Sequence, residues 1–154
     1  MTRIAAAALL LLLGIAGPAQ AVPPTVPPTP PLHWAAAQGL VEIASLLIEE
    51  GAAIDAVDWF GNTPLHAGIR HPEIVRLLLE SGAAVDARNA FGNTPLHLAV
   101  ADRRIVDLLI AAGADVRARN YLDKTPLDYA LRGGRSPYNL SIVETLIRAG
   151  AGVP

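Results

Sequence analysis

Phe60-Gly61-Asn62-Thr63-Pro64-Leu65-His66 and Phe91-Gly92-Asn93-Thr94-Pro95-Leu96-His97 are one heptapeptide written twice. A further step of the same length lands on Asp123-Lys124-Thr125-Pro126-Leu127-Asp128, and a slightly longer step back from Leu65 lands on Pro31-Leu32-His33. After each copy comes an apolar run: Ile43-Ala44-Ser45-Leu46-Leu47-Ile48, Ile74-Val75-Arg76-Leu77-Leu78-Leu79, Ile105-Val106-Asp107-Leu108-Leu109-Ile110 and Ile142-Val143-Glu144-Thr145-Leu146-Ile147. A Gly-Ala pair then closes it, at Gly51, Gly82, Gly113 and Gly150. Self-similarity with a period of roughly 33 residues is the signature of stacked repeats, in which each unit buries its apolar face only against its neighbours.

Outside the repeat, the N-terminus carries a second signal. Arg3 supplies a positive start, Ile4 to Ile15 is an apolar run with one Gly break, and Ala19-Gln20-Ala21 is a small-residue cleavage site. That order reads as a secretory signal peptide over residues 1–21, cut after Ala21. A helix from Ile4 to Gly17 would reach only about 21 Å, short of a hydrocarbon core about 30 Å thick. No cysteine stands at the cleavage site and no Arg-Arg pair precedes the apolar run, which argues against a lipid anchor and against twin-arginine export. Residues 22–29, Val-Pro-Pro-Thr-Val-Pro-Pro-Thr, have polyproline character and read as a semi-rigid linker. Eleven of the twelve basic residues are arginine, and with abundant alanine this reads as a GC-rich bacterial genome.

Composition bounds the rest. The chain has 154 residues, no cysteine and a formal charge of −2, enough for one domain or a short array that packs without disulfides. A near-even charge balance gives no support to nucleic-acid binding. Thr63, Thr94 and Thr125 are placed as helix N-caps, each followed by proline at the first helical position. The first helix of a unit is expected to be short, about two turns in the second copy. The four glycines end second helices in left-handed conformation, Gly61 and Gly92 supply tight turns, and Asp123 takes that turn position in the last arm.

With these residues in place, the chain resembles the ankyrin-repeat family, whose pattern is D-x-x-G-x-T-P-L-H-x-A-A, a turn, E-I-V-x-L-L-L and G-A-D-V-N-A. Asp58 to His66, Glu73 to Leu79 and Gly82 to Ala87 follow it closely, and four copies cover residues 30–62, 63–93, 94–124 and 125–153. The resemblance implies an all-α repeat solenoid of helix-turn-helix units with β-hairpin or loop arms. Copies two and three depart from it by lacking two residues at the inter-helix turn, where His71-Pro72 and Asp102-Arg103 stand. Copy four has four extra residues there, within 133–139. Pro30 replaces the threonine of copy one, which is expected to be the N-terminal cap. Thr145 replaces Leu46, Leu77 and Leu108, which suits a C-terminal cap, left imperfect by Ile142 and Leu146.

The family's histidine, here His33, His66 and His97, is expected to hydrogen-bond between neighbouring repeats. These side chains lie one repeat apart, too far to share a metal ion, and His71 is expected to be a solvent-facing turn residue. No nucleophile–base or phosphate-loop motif is found, so neither catalysis, cofactor nor metal is expected. Family members bind proteins through arm tips and the exposed side of the first helix. The corresponding residues here are Trp59, Phe60, Asn62, Arg88, Phe91, Asn93, Arg119, Tyr121, Leu122 and Lys124. Exposed aromatics of this kind are typical interface anchors; the alternative is that neighbouring arms stack these rings on one another. Arg88 and Arg119, with Asp55 and Asp86 nearby, would form a polar rim that tunes specificity or a solvated edge.

The expectation is an exported, non-catalytic protein–protein interaction module in the periplasm, or outside the cell, that supports or inhibits a partner protein. The partner is expected to be a protein rather than nucleic acid, with no membrane insertion after signal cleavage, and the chain a monomer, with weak self-association as the alternative. The alternatives are a secreted effector acting on a host protein and a small-ligand carrier.

Overall fold

A computed structural model describes residues 30–132 and 137–152 of the chain. Residues 1–21, expected to be a signal peptide, residues 22–29, expected to be a linker, and most of residues 133–139 therefore lie outside the described residues. Eight helices are described: α1 (Pro31–Gln38), α2 (Val41–Glu49), α3 (Pro64–Ala67), α4 (Pro72–Glu80), α5 (Pro95–Leu98), α6 (Arg103–Ala111), α7 (Pro126–Arg132) and α8 (Pro137–Arg148). They pair as α1/α2, α3/α4, α5/α6 and α7/α8. Each first helix packs on the next first helix and each second helix on the next second helix, giving two parallel layers. The core runs between them.

The repeated letters become the core. Leu32, Leu65, Leu96 and Leu127 of the first helices are buried, as are Ile74, Ile105 and Ile142, and Leu78, Leu109 and Leu146, of the second. Burying one such side chain contributes about 1.5–3 kcal/mol, so the stack is held mainly by this repeated leucine–isoleucine layer. At the first pair the equivalents Ile43 and Leu47 are only half-buried, because no helix pair covers them from the other side. Ile142 and Leu146 face the core rather than the open end, which corrects the expected reason for an imperfect cap. Among the described side chains of α8, Leu140 and Ile147 are the exposed large apolar ones. Thr145 is half-buried and its hydroxyl donates to the Ser141 carbonyl at 2.9 Å, inside its own helix.

The two missing residues of copies two and three come out of the first helix. α3 and α5 are single turns of four residues, against eight in α1 and seven in α7, shorter than the two turns expected. The turn at Gly68 begins at once, and a Cβ there would lie 2.6 Å from Cγ2 of Ile74, so the helix pair closes over a bare backbone. Gly51, Gly82, Gly113 and Gly150 all have left-handed φ, and the amide of the residue after each glycine returns to the helix, as in Ala52 N–H to the Leu47 carbonyl at 2.9 Å. Asp123 is left-handed with φ 57°, as its turn position requires. The arms contain turns, with no strand among the described residues. Each arm closes on itself through the same residue, whose amide donates four residues on (Asp58 to Asn62, Asn89 to Asn93, Asn120 to Lys124) and whose carbonyl accepts from Gly61, Gly92 or Asp123; these are turn bonds and build no ladder.

Candidate functional site on the arm tips

Each arm is shaped by the side chain at its first turn position. Asp58 Oδ1 accepts from the amides of Phe60 (2.8 Å) and Asn62 (2.9 Å). Asn89 Oδ1 does the same for Phe91 and Asn93, and Asn120 Oδ1 for Leu122 and Lys124. A short polar side chain that accepts from the amide two residues on is what makes a tight turn stable here. It forces the intervening residues outward.

Adjacent arms are then locked in register. The Ala90 amide donates to the Phe60 carbonyl at 2.9 Å and the Tyr121 amide to the Phe91 carbonyl at 3.2 Å. Asn89 Nδ2 donates to Asn62 Oδ1 (3.0 Å) and Asn120 Nδ2 to Asn93 Oδ1 (2.7 Å). The Tyr129 hydroxyl also donates to Asn93 Oδ1 at 3.2 Å. Asn62 and Asn93, expected at the partner contact, have their side-chain oxygens in rungs between arms; Asn62 is half-buried and Asn93 buried. Asn89 and Asn120, not nominated from the sequence, carry the other half of each rung. Their signal was available in the sequence, where an asparagine recurs at the repeat interval before two of the turns.

The histidines tie the arms to the helices. Nε2–H of His33, His66 and His97 donates to the carbonyls of Asn62 (2.7 Å), Asn93 (3.0 Å) and Lys124 (2.9 Å). At Nδ1, His66 accepts from the Thr63 amide and hydroxyl, and His97 from those of Thr94. An imidazole that accepts at Nδ1 and donates at Nε2 is neutral, and burial lowers the pKa of both His66 and His97 in the same direction. In the fourth copy Asp128 accepts from the Thr125 amide (2.8 Å) and hydroxyl (2.9 Å) in histidine's place. A carboxylate has no second nitrogen to reach onward with. These bonds hold its pKa below the usual carboxylate value, the Thr125 backbone N–H contributing most. His71 is not a free turn residue: it is half-buried, Nε2 donates to the Ala37 carbonyl at 3.1 Å, and its ring fills the space beside Gly39.

What remains outside is an apolar row. Trp59 (70% exposed), Phe60 (56%), Phe91 (60%), Tyr121 (73%) and Leu122 (75%) stand on three successive arms. The tip rings do not stack on one another; the ring pair among the described residues is His97 with Tyr129, edge to face at 5.6 Å. Beside the row, Arg88 donates to the Arg119 carbonyl at 2.6 Å, and Arg119 meets Asp123 at 2.9 Å. Asp55 and Asp86 accept the amides of Ala84 and Asp115 from the next arm, at 3.0 Å each. The expected polar rim is thus also a set of inter-repeat ties. Lys124 is half-buried and borders an open hollow of about 590 Å³ with Arg119, Asp123 and Asp128.

A family model described as ankyrin repeats (3 copies) matches residues 6–89 and 70–153. The chain belongs to the ankyrin-repeat family. Among curated proteins, the rice (Oryza sativa subsp. japonica) potassium channels KOR2 and KOR1 are 62% and 52% identical to it over 40 residues. Those 40 residues are 26% of this chain and only 6% and 5% of the channels, little more than the length of one repeat. Ankyrin repeats generally mediate protein–protein interaction and are typically non-catalytic. Among the described residues no helix is long and apolar enough to cross a membrane, and no group of three or more His, Cys, Asp or Glu side chains is placed to hold a metal ion.

Proposed function

We propose that this ankyrin-repeat chain is an exported, non-catalytic recognition module that binds a partner protein in the periplasm through its arm tips. The observation that carries this reading is the row of five large apolar side chains, at least half exposed, on arms tied in register by backbone bonds. A patch that is both apolar and rigid is suited to binding, because burying it releases water while little side-chain or loop ordering opposes association. Export is supported by the residues of the 1–21 segment. Trp59 and Phe91 are the anchors assigned to the contact, with Arg88, Arg119 and Lys124 at its edge.

Capture from periplasmic extract by wild type and by Trp59→Ala/Phe91→Ala tests the reading. One protein retained by wild type and lost by the variant, at equal thermal stability, is the expected result. Equal retention moves the site off the tips, and no retention by folded protein overturns the periplasmic partner.

A further inference from the structure

The spacing of the arms sets the spacing of anything that lies along them. Each arm is two chain segments wide, closed by bonds such as Asp58 N–H to the Asn62 carbonyl. It is joined to the next by Ala90 N–H to the Phe60 carbonyl or Tyr121 N–H to the Phe91 carbonyl. Hydrogen-bonded segments lie about 4.8 Å apart, so the tips recur roughly every 9–10 Å, the separation of packed helices. Phe60, Phe91 and Leu122 thus mark three points on a row about 20 Å long, with Trp59 and Tyr121 beside its ends. Together these five side chains expose on the order of 600 Å², most of the roughly 800 Å² that one partner contributes to a standard-size interface.

Few backbones keep step with that row. An extended strand shows one face every second residue, at about 6.6 or 13 Å, and misses a step near 10 Å. A polyproline helix repeats in about 9.3 Å and an α-helix advances about 10.5 Å in seven residues, so both match. Hydrogen bonding separates them: a polyproline chain carries unpaired carbonyls along its length, whereas an α-helix pairs its own. Of the nine amides at 59–61, 90–92 and 121–123, eight are already bonded to Asp58, Phe60, Asn89, Phe91 or Asn120. The amide of Trp59, at one end of the row, is the one without a partner among the described residues. Tips whose donors are taken suit a partner whose backbone needs none. At the middle of the row Arg88 donates to the Gly92 and Arg119 carbonyls, at 3.3 and 2.6 Å, and forms no ion pair among the described residues. Its exposed charge is open to a carboxylate.

We propose that the partner presents an amphipathic α-helix laid along the tips, with large apolar side chains seven residues apart against Phe60, Phe91 and Leu122. An acidic side chain flanking the middle one faces Arg88. Two heptads, about four turns, span the three arms. The inference rests on the recognition role proposed above and gives that partner a shape.

Selection against the full chain from three displayed peptide libraries is the test: helical peptides of three heptads, extended peptides held in a β-hairpin, and peptides with proline at every third residue. Binders are then titrated against wild type and Phe91→Ala at equal thermal stability. Binders that lose at least tenfold in affinity on Phe91→Ala are expected mainly from the helical library, with large apolar residues seven apart. Changing their flanking acidic residue to glutamine should weaken them at least threefold. Tip-dependent binders drawn equally or mainly from the other libraries overturn the helix and leave the recognition role standing. Helical binders indifferent to Phe91→Ala, or lacking the seven-residue spacing, overturn it as well. No tip-dependent binder from any library overturns both readings.

Discussion

Replacing Pro30 by threonine should make this protein more stable, although it removes a proline. In the second and third repeats Thr63 and Thr94 give Nδ1 of the histidine an amide and a hydroxyl donor, at 3.2 and 2.9 Å for His66 and 3.1 and 2.9 Å for His97. Pro30 has neither group, and Nδ1 of the buried His33 has no hydrogen-bond partner among the described residues. The backbone at Pro30 is extended (φ −53°, ψ 141°), a region open to threonine, and Pro31 would remain at the first helical position. Leaving a buried acceptor unpaired costs about 1–3 kcal/mol. An N-cap hydroxyl is worth about 0.5–2 kcal/mol, a gain that overlaps the first, and the lost rigidity of proline returns about 0.4–1 kcal/mol to the unfolded chain. The net expectation is about 1–2 kcal/mol in favour of Pro30→Thr. In an array the gain is local to the first repeat, so amide exchange in α1 reads it most directly, beside a urea titration. Pro30→Val restores the amide but not the hydroxyl and should recover less. Threonine no better than valine, or less stable than wild type, would refute the reasoning.

Acid should loosen the stack between about pH 6.5 and the lowered folded pKa values of His66 and His97. Both are neutral in the fold and take up protons more readily when unfolded, so their contribution is present above pH 6.5. It falls by up to about 1.4 kcal/mol per histidine per pH unit below it. Urea midpoints between pH 7.5 and 5.5 check this, with a shallower slope in His97→Gln; a flat profile would contradict it. Gly39→Ala should cost about 2 kcal/mol, since its φ is 72° and a Cβ would lie 2.6 Å from Nδ1 of His71. Adding His71→Ala should recover part of that loss in the same denaturation assay, as a double-mutant cycle requires for residues in contact. Asp102→Ala should cost about 1 kcal/mol by removing the acceptor that caps α6 at the Arg104 amide, 2.9 Å away. Faster amide exchange confined to the first turn of α6 would mark it.

The sequence by itself was enough for the repeat, its register and its family, because a stacked array reuses one local solution. The same Thr-Pro-Leu-His letters make the same cap, buried leucine and onward bond at His66 and His97. It placed the aromatics at the arm tips but left open whether they stack on one another; the turns held by Asp58, Asn89 and Asn120 turn them outward. Tertiary structure alone decided which polar residues near the tips are taken. Asn62, Asn93, Arg88 and His71 look equally free in the linear sequence, and each is engaged by an atom of the neighbouring repeat. The same holds for the length of α3 and α5. A two-residue deletion can be absorbed by a turn or by a helix end, and packing Gly68 directly against Ile74 settles it in favour of the helix end. Local chemistry determines what a residue can bond; the neighbouring repeat determines what it does bond.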